Sequence, residues 1–238
     1  MTHDQSVNRV IRNEREVSAL RNADDLLVRV TAGLAFAIYA GYCLDIGFVR
    51  LQSVDFASLQ LHQIGRVLAV FSVAIYNMII AVLYGLRLRP VSKSLGVIPG
   101  ITALVGGFML SSLLLLTPRE NLPLGVLALA DFLIVIGNIL IAFVLLQLGR
   151  SFSILPEGRR LVTHGIYSVV RHPLYLAEAV AALGIAMTYW SPLSWILVAA
   201  WFGVQIARTY NEERVLREYF PEYVDYARKT PRMIPGVY

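Results

Sequence analysis

The chain has 238 residues, 57% of them apolar and 16% charged, with a formal net charge of +5 and a mean hydropathy of +0.62. Soluble domains of this size carry about 45–50% apolar and about 25% charged residues, so an ordinary water-soluble globule is excluded and a membrane protein is indicated. A single cysteine, Cys43, excludes an intramolecular disulfide framework and a cysteine-based zinc site, both of which need more than one thiol.

Residues 1–27 are polar and charged and read as a cytoplasmic arm, partly helical or disordered, with no removable signal peptide. Four apolar runs then follow, 28–48, 67–86, 95–116 and 122–148, each long enough to cross roughly 30 Å of hydrocarbon. They are expected to be helical, because lipid offers backbone polar groups no other partner. Two shorter runs, 174–189 and 193–207, flank Trp190, Ser191 and Pro192 and predict a tight helical hairpin whose ends open on one side.

Of the 21 lysines and arginines, all but Arg50, Arg66 and Arg119 fall on the arm, on alternate connections and on the tail. Short basic loops stay in the cytoplasm, so the split predicts about six crossings with both termini inside, in a bacterial inner membrane or the endoplasmic reticulum. The fold class is an all-α polytopic bundle with a cytoplasmic C-terminal helical segment. It divides into the arm, a four-helix region at 28–148 and a catalytic region at 149–238. The same split accounts for the net positive charge, so no nucleic-acid partner is expected.

Ionisable groups are rare in the first four spans, where Asp131 and Asn138 read as interhelical hydrogen-bonding groups. From Gly149 onward Arg, Glu, His and Tyr alternate with apolar residues. Pro173 suits the first position of a helix, placing His172 at its cap. Arg208 and Glu212 share a helical face one turn apart, and the hairpin carries them back beside His172. Arg171, His172, Tyr167 and Tyr175 also suit an interfacial anchor, and the later charges suit solvated ion pairs. Glu178, under two turns from Pro173, lies within an apolar run and is a functional candidate. No Gly-x-Gly-x-x-Gly, Walker loop or His-Glu-x-x-His occurs, and His3, His62, His164 and His172 are too scattered for a metal cluster, so no metal site is expected.

In order, Leu148-Gly-Arg-Ser-Phe-Ser153, Leu161-Val-x-x-Gly-x-Tyr167, Arg171-His-Pro-x-Tyr175 and Arg208-x-x-x-Glu212-Glu213 resemble the isoprenylcysteine carboxyl methyltransferase and phospholipid methyltransferase family. The resemblance covers residues 147–238, with Ile166 where many members have Pro and Ala177 where Gly is common. It implies a methyltransferase using S-adenosylmethionine, held by Tyr167, His172, Pro173 and Tyr175, with Glu212 or Glu213 on its ribose hydroxyls or ammonium group. Arg208 and Glu212 are the implied catalytic residues, with the arginine suited to a carboxylate or phosphate on a lipid or isoprenoid acceptor. A monomer is expected. Two other readings stand beside it. The Arg-His-Pro-x-Tyr segment and residues 232–238 are also similar to NADPH-dependent sterol reductases, and a non-enzymatic membrane adaptor could keep the same fold.

Overall fold

The apolar runs do become helices, and the one run that holds a glycine pair, Gly106-Gly107, changes helix type just after it. The computed structural model describes residues 3–54, 61–93, 97–119 and 121–234. The start of the third predicted span at Leu95 and the chain end from Pro235 lie outside these. In order the elements are α1 (His3–Gln52), α2 (Leu61–Leu86), β1 (Ser92–Lys93), α3 (Val97–Phe108), α4 (Leu124–Leu148), β2 (Glu157–Gly158), α5 (Pro173–Tyr189), α6 (Pro192–Tyr219) and α7 (Tyr223–Lys229). The only sheet among the described residues is the antiparallel pairing of β1 with β2.

Among the described residues, three segments are long and apolar enough to cross a membrane, Asp25–Gln52, His62–Leu86 and Leu124–Ser151. Outward-facing Leu34, Ile38, Ile75, Ile139, Phe143 and Ile196 are exposed, which suits a surface solvated by lipid. The polar arm runs into the first span without a break, as one helix from His3.

The third predicted span is corrected. It is α-helical only from Val97 to Phe108 and continues as a 3₁₀ helix from Met109 to Leu115. The indole Nε1 of Trp201 donates to the Gly106 carbonyl at 2.8 Å, the oxygen that a continuing α-helix would offer to the amide four residues on.

The hairpin begins at Pro173 and turns as expected. Trp190 takes a left-handed conformation (φ 43°), and Ser191 and Ser194 cap α6 reciprocally. It is not tight, however: α5 packs chiefly on α4, whereas α6 leans more on α3 than on α5. Small residues draw α5 onto α4. A Cβ at Gly184 would lie 2.6 Å from the Ala130 carbonyl oxygen, and one at Gly137 would lie 2.8 Å from the Ala181 Cα. Ala177 and Ala181 join Ile80, Tyr84, Ile141 and Leu145 in one core, and Ala182 and Ala186 join Leu113, Val198 and Trp201 in another. The splay of α6 from α5 opens a cavity of about 940 Å³ through the bundle.

Candidate functional site

Backbone pairing places the His172 end of α5 against the chain's C-terminal segment, as the amides of Arg171 and His172 donate to the carbonyls of Pro231 and Arg232, both at 2.9 Å. His172 is buried and its ring stacks on Tyr175, with centroids 5.6 Å apart and planes 10° apart. From α6, Glu212 and Glu213 reach this pair: His172 Nε2 is 3.2 Å from Glu213 Oε1, its Nδ1 is 3.8 Å from Glu212 Oε2, and the Tyr175 hydroxyl donates to Glu212.

The two adjacent glutamates sit in different surroundings, because consecutive helical residues point about 100° apart. Glu212 keeps 26% of its side chain exposed and lines the cavity. Glu213 is 3% exposed and lies 2.7 Å from Arg171, 2.8 Å from Arg232 and 3.3 Å from Arg217. Burial alone would raise its carboxyl, but hydrogen bonds from His172 and Arg232 and the charge of Arg171 outweigh it and hold the group down to about 2. Burial pushes the Tyr223 hydroxyl up to about 12, with Glu213 adding to the rise and Arg171, its hydrogen-bond donor, opposing it.

Arg208, also buried, lies across the face of Tyr175 at 4.9 Å. Its Nη1 donates to Gln205 Oε1 at 2.9 Å, its Nη2 donates to the Ile154 carbonyl at 3.2 Å, and it approaches Glu212 to 4.0 Å. Gln205 donates in turn to Glu178, so Arg208, Gln205 and Glu178 form one polar chain, whose two ends line the cavity.

Of the sequence-predicted residues, Tyr167, His172, Tyr175, Arg208 and Glu212 line the cavity together. Pro173 starts α5 without lining it, and Glu213 lies behind it. The expected interhelical hydrogen bond in α4 comes from Asn138, which donates to Ser72 at 2.9 Å. Asp131 Oδ2 is buried with no hydrogen-bond partner among the described residues, which corrects the expectation for that residue. Sequence reasoning missed Gln205 and Arg232. The signal for Gln205 was a lone amide within an apolar run, one turn before Arg208.

The site pairs a carboxylate facing the cavity with stacked aromatic faces and a guanidinium fixed by two acceptors. Such a set favours a cation with apolar substituents beside an oxyanion.

Residues 126–223 match the phospholipid methyltransferase family model. Over 116 residues the chain is 34% identical to protein-S-isoprenylcysteine O-methyltransferase B of Arabidopsis thaliana, covering 44% of this chain and 57% of that protein. Over 80 residues it is 41% identical to the nickel-cobalt-cadmium resistance protein NccN of Alcaligenes xylosoxydans xylosoxydans, covering 33% of this chain and 38% of that protein. The chain thus spans between 38% and 57% of the length of these relatives. A solved structure of the eukaryotic intramembrane Ras methyltransferase ICMT aligns at 16% identity with a TM-score of 0.40, covering 91% of this chain and 98% of that one. Over the segment that carries the site, the chain is similar to the phospholipid methyltransferase family and to isoprenylcysteine methyltransferases.

Proposed function

We propose that this chain is an S-adenosylmethionine-dependent methyltransferase of the membrane, acting at the cytoplasmic leaflet on a lipid-like acceptor, such as an isoprenoid carboxylate, that enters laterally between helices. The observation that carries the reading is the meeting of Tyr167, His172, Tyr175, Arg208 and Glu212 at one cavity running into the apolar interior of the bundle. Basic residues concentrated at the same end support its cytoplasmic placement.

The residues present fit the donor. Glu212 is an anionic acceptor for ribose hydroxyls or an ammonium group, and the Tyr167 ring, which lines the same cavity, is an aromatic wall for a sulfonium cation. Bound S-adenosylmethionine would supply an electrophilic methyl carbon on that sulfonium. What the chain contributes is position and dryness. Tyr175 orients Glu212 by its hydroxyl, and Glu213, clamped by Arg171 and Arg232, fixes His172 from behind. Arg208, braced by Gln205 and Ile154, would hold an acceptor oxyanion in line for displacement. Apolar walls from Ile141, Leu145 and Leu174 keep water from the reacting atoms.

Calorimetric titration of the purified chain with S-adenosylhomocysteine tests the reading, with saturable binding expected. No binding at millimolar ligand would count decisively against it, and NADPH binding in its place would favour a reductase. Mass spectrometry of lipid extracts incubated with the chain and a methyl-labelled donor would then identify the acceptor.

A further inference from the structure

A second polar cluster lies at Tyr84. The Tyr84 hydroxyl accepts from the Ile154 amide at 3.4 Å, and its ring carries the Arg87 guanidinium at 4.8 Å. Three connections converge here. The Leu88 amide donates to the Arg150 carbonyl and the Val91 amide to the Gly158 carbonyl, both at 2.8 Å, and β1 pairs with β2. These bonds set Arg87, just past α2, and Arg159, just past β2, on the one carboxylate of Asp25, with Ser151 next to the Leu88–Arg150 pairing in the turn after α4. All three are buried, the arginines to 2% and 6% exposure.

Their partners leave most of their donors unused. Arg87 meets Asp25 through Nη2 alone, at 2.8 Å, and Arg159 meets Glu157, with Asp25 at 3.8 Å, also through Nη2 alone. Arg29 takes the other oxygen of Asp25 at 2.7 Å. Among the described residues, three guanidinium groups therefore share two carboxylates. The Nε and Nη1 atoms of both Arg87 and Arg159, and Oγ of Ser151, are buried without a hydrogen-bond partner among the described residues. Buried charged donors left unpaired are costly, so such an array calls for an acceptor.

We propose that Arg87, Arg159 and Ser151 form an anion site for a phosphate group, separate from the cluster at His172. The missing component must accept several hydrogen bonds and carry negative charge. A tetrahedral oxyanion has four acceptor oxygens, enough to take charge-assisted donors from both guanidinium groups and the hydroxyl. Arg159 and Ser151 line the same cavity as Arg208, so the group is either the phosphate of a lipid lodged in the bundle or a free phosphate ion entering from the loop side. The proposal does not depend on the methyl-transfer reading.

Binding is measured by calorimetry on the full chain in uncharged detergent, with inorganic phosphate, dihexanoyl phosphatidic acid and, as a phosphate-free control, dihexanoylglycerol. The expected result is one saturable site for a phosphate-bearing probe and none for dihexanoylglycerol, with affinity falling at least tenfold in Arg159→Gln and several-fold in Ser151→Ala. Saturation by the lipid alone marks a headgroup site, whereas saturation by inorganic phosphate marks an ion site. Absence of binding by both phosphate probes, or equal affinity in the variants, overturns the proposal. Should Arg159→Gln fail to fold, Ser151→Ala and Arg159→Lys decide by the same criterion. S-adenosylhomocysteine titrated into the same samples separates failure of this site from failure of the methyltransferase reading.

Discussion

Replacing Glu213 by Gln keeps its shape and removes the charge that the part-buried Arg171 and Arg232 guanidinium groups pair with. The size of the effect follows from the carboxyl itself, held at about 2 against an ordinary 4.5. At about 1.36 kcal/mol per pH unit, that difference is about 3 kcal/mol of folding stability. Breaking a buried pair from one side costs about 3–5 kcal/mol, which agrees. Because the folded value lies below the unfolded one, the stability is fully present above about pH 5 and is lost as pH falls through about 2. Unfolding of wild type and Glu213→Gln in detergent, followed by tryptophan fluorescence from pH 7 to pH 3, should show a gap of about 3 kcal/mol that narrows as the solution is acidified. A variant as stable as wild type at pH 7, or a gap of constant size down to pH 3, would refute the reasoning.

Glu212→Gln should leave stability within about 1 kcal/mol, since its side chain is part exposed, and weaken S-adenosylhomocysteine binding at least tenfold by calorimetry. Arg208→Ala should retain that binding and lose turnover by at least a hundredfold in a labelled-methyl assay. Gly106→Ala should lower turnover about tenfold with donor affinity unchanged, because a Cβ there meets Arg208 Cδ at 2.5 Å and Gln205 Oε1 at 2.7 Å. Gly184→Ala, pressing on the Ala130 carbonyl, should cost about 1–3 kcal/mol in thermal unfolding through overpacking.

Periodicity and length made much of the bundle legible. The start of α5 at Pro173, the turn at Trp190 and the return of α6 beside His172 follow from local rules that tertiary packing reinforces. The third span was misread because hydropathy does not register the Gly106 carbonyl, whose capture by Trp201 depends on a residue 95 positions away. The open hairpin was hidden for a like reason: the glycines of α4 and α5 decide which neighbour α5 prefers, and only facing partners reveal it. The Asp25, Arg87, Arg159 and Glu157 cluster also escaped notice. In sequence it is four charges at membrane edges, where orientation bias alone predicts charge.

The adjacent acids at 212 and 213 show how one short motif supplies both a scaffold and a binding face. A helix turns about 100° per residue, so consecutive side chains cannot share a surface. If one of them faces a cavity, the other must pack against a neighbouring element or solvent. Here the second is ringed by Arg171 from the start of α5, Arg217 from one turn on along α6 and Arg232 from the C-terminal segment, and it adds side-chain ties to the backbone pairing of Arg171 and His172 with Pro231 and Arg232. Glu213 thereby ties down the backbone that carries His172, while Glu212, held by Tyr175, keeps a carboxylate toward the cavity. Exchanging the roles would require rotating α6 by more than a quarter turn, which would also carry Arg208 away from Tyr175 and Gln205 away from Glu178. The register of α6 therefore fixes every polar contact of the site at once, and the Trp201 bond to Gly106, two turns earlier on the same helix, holds that register.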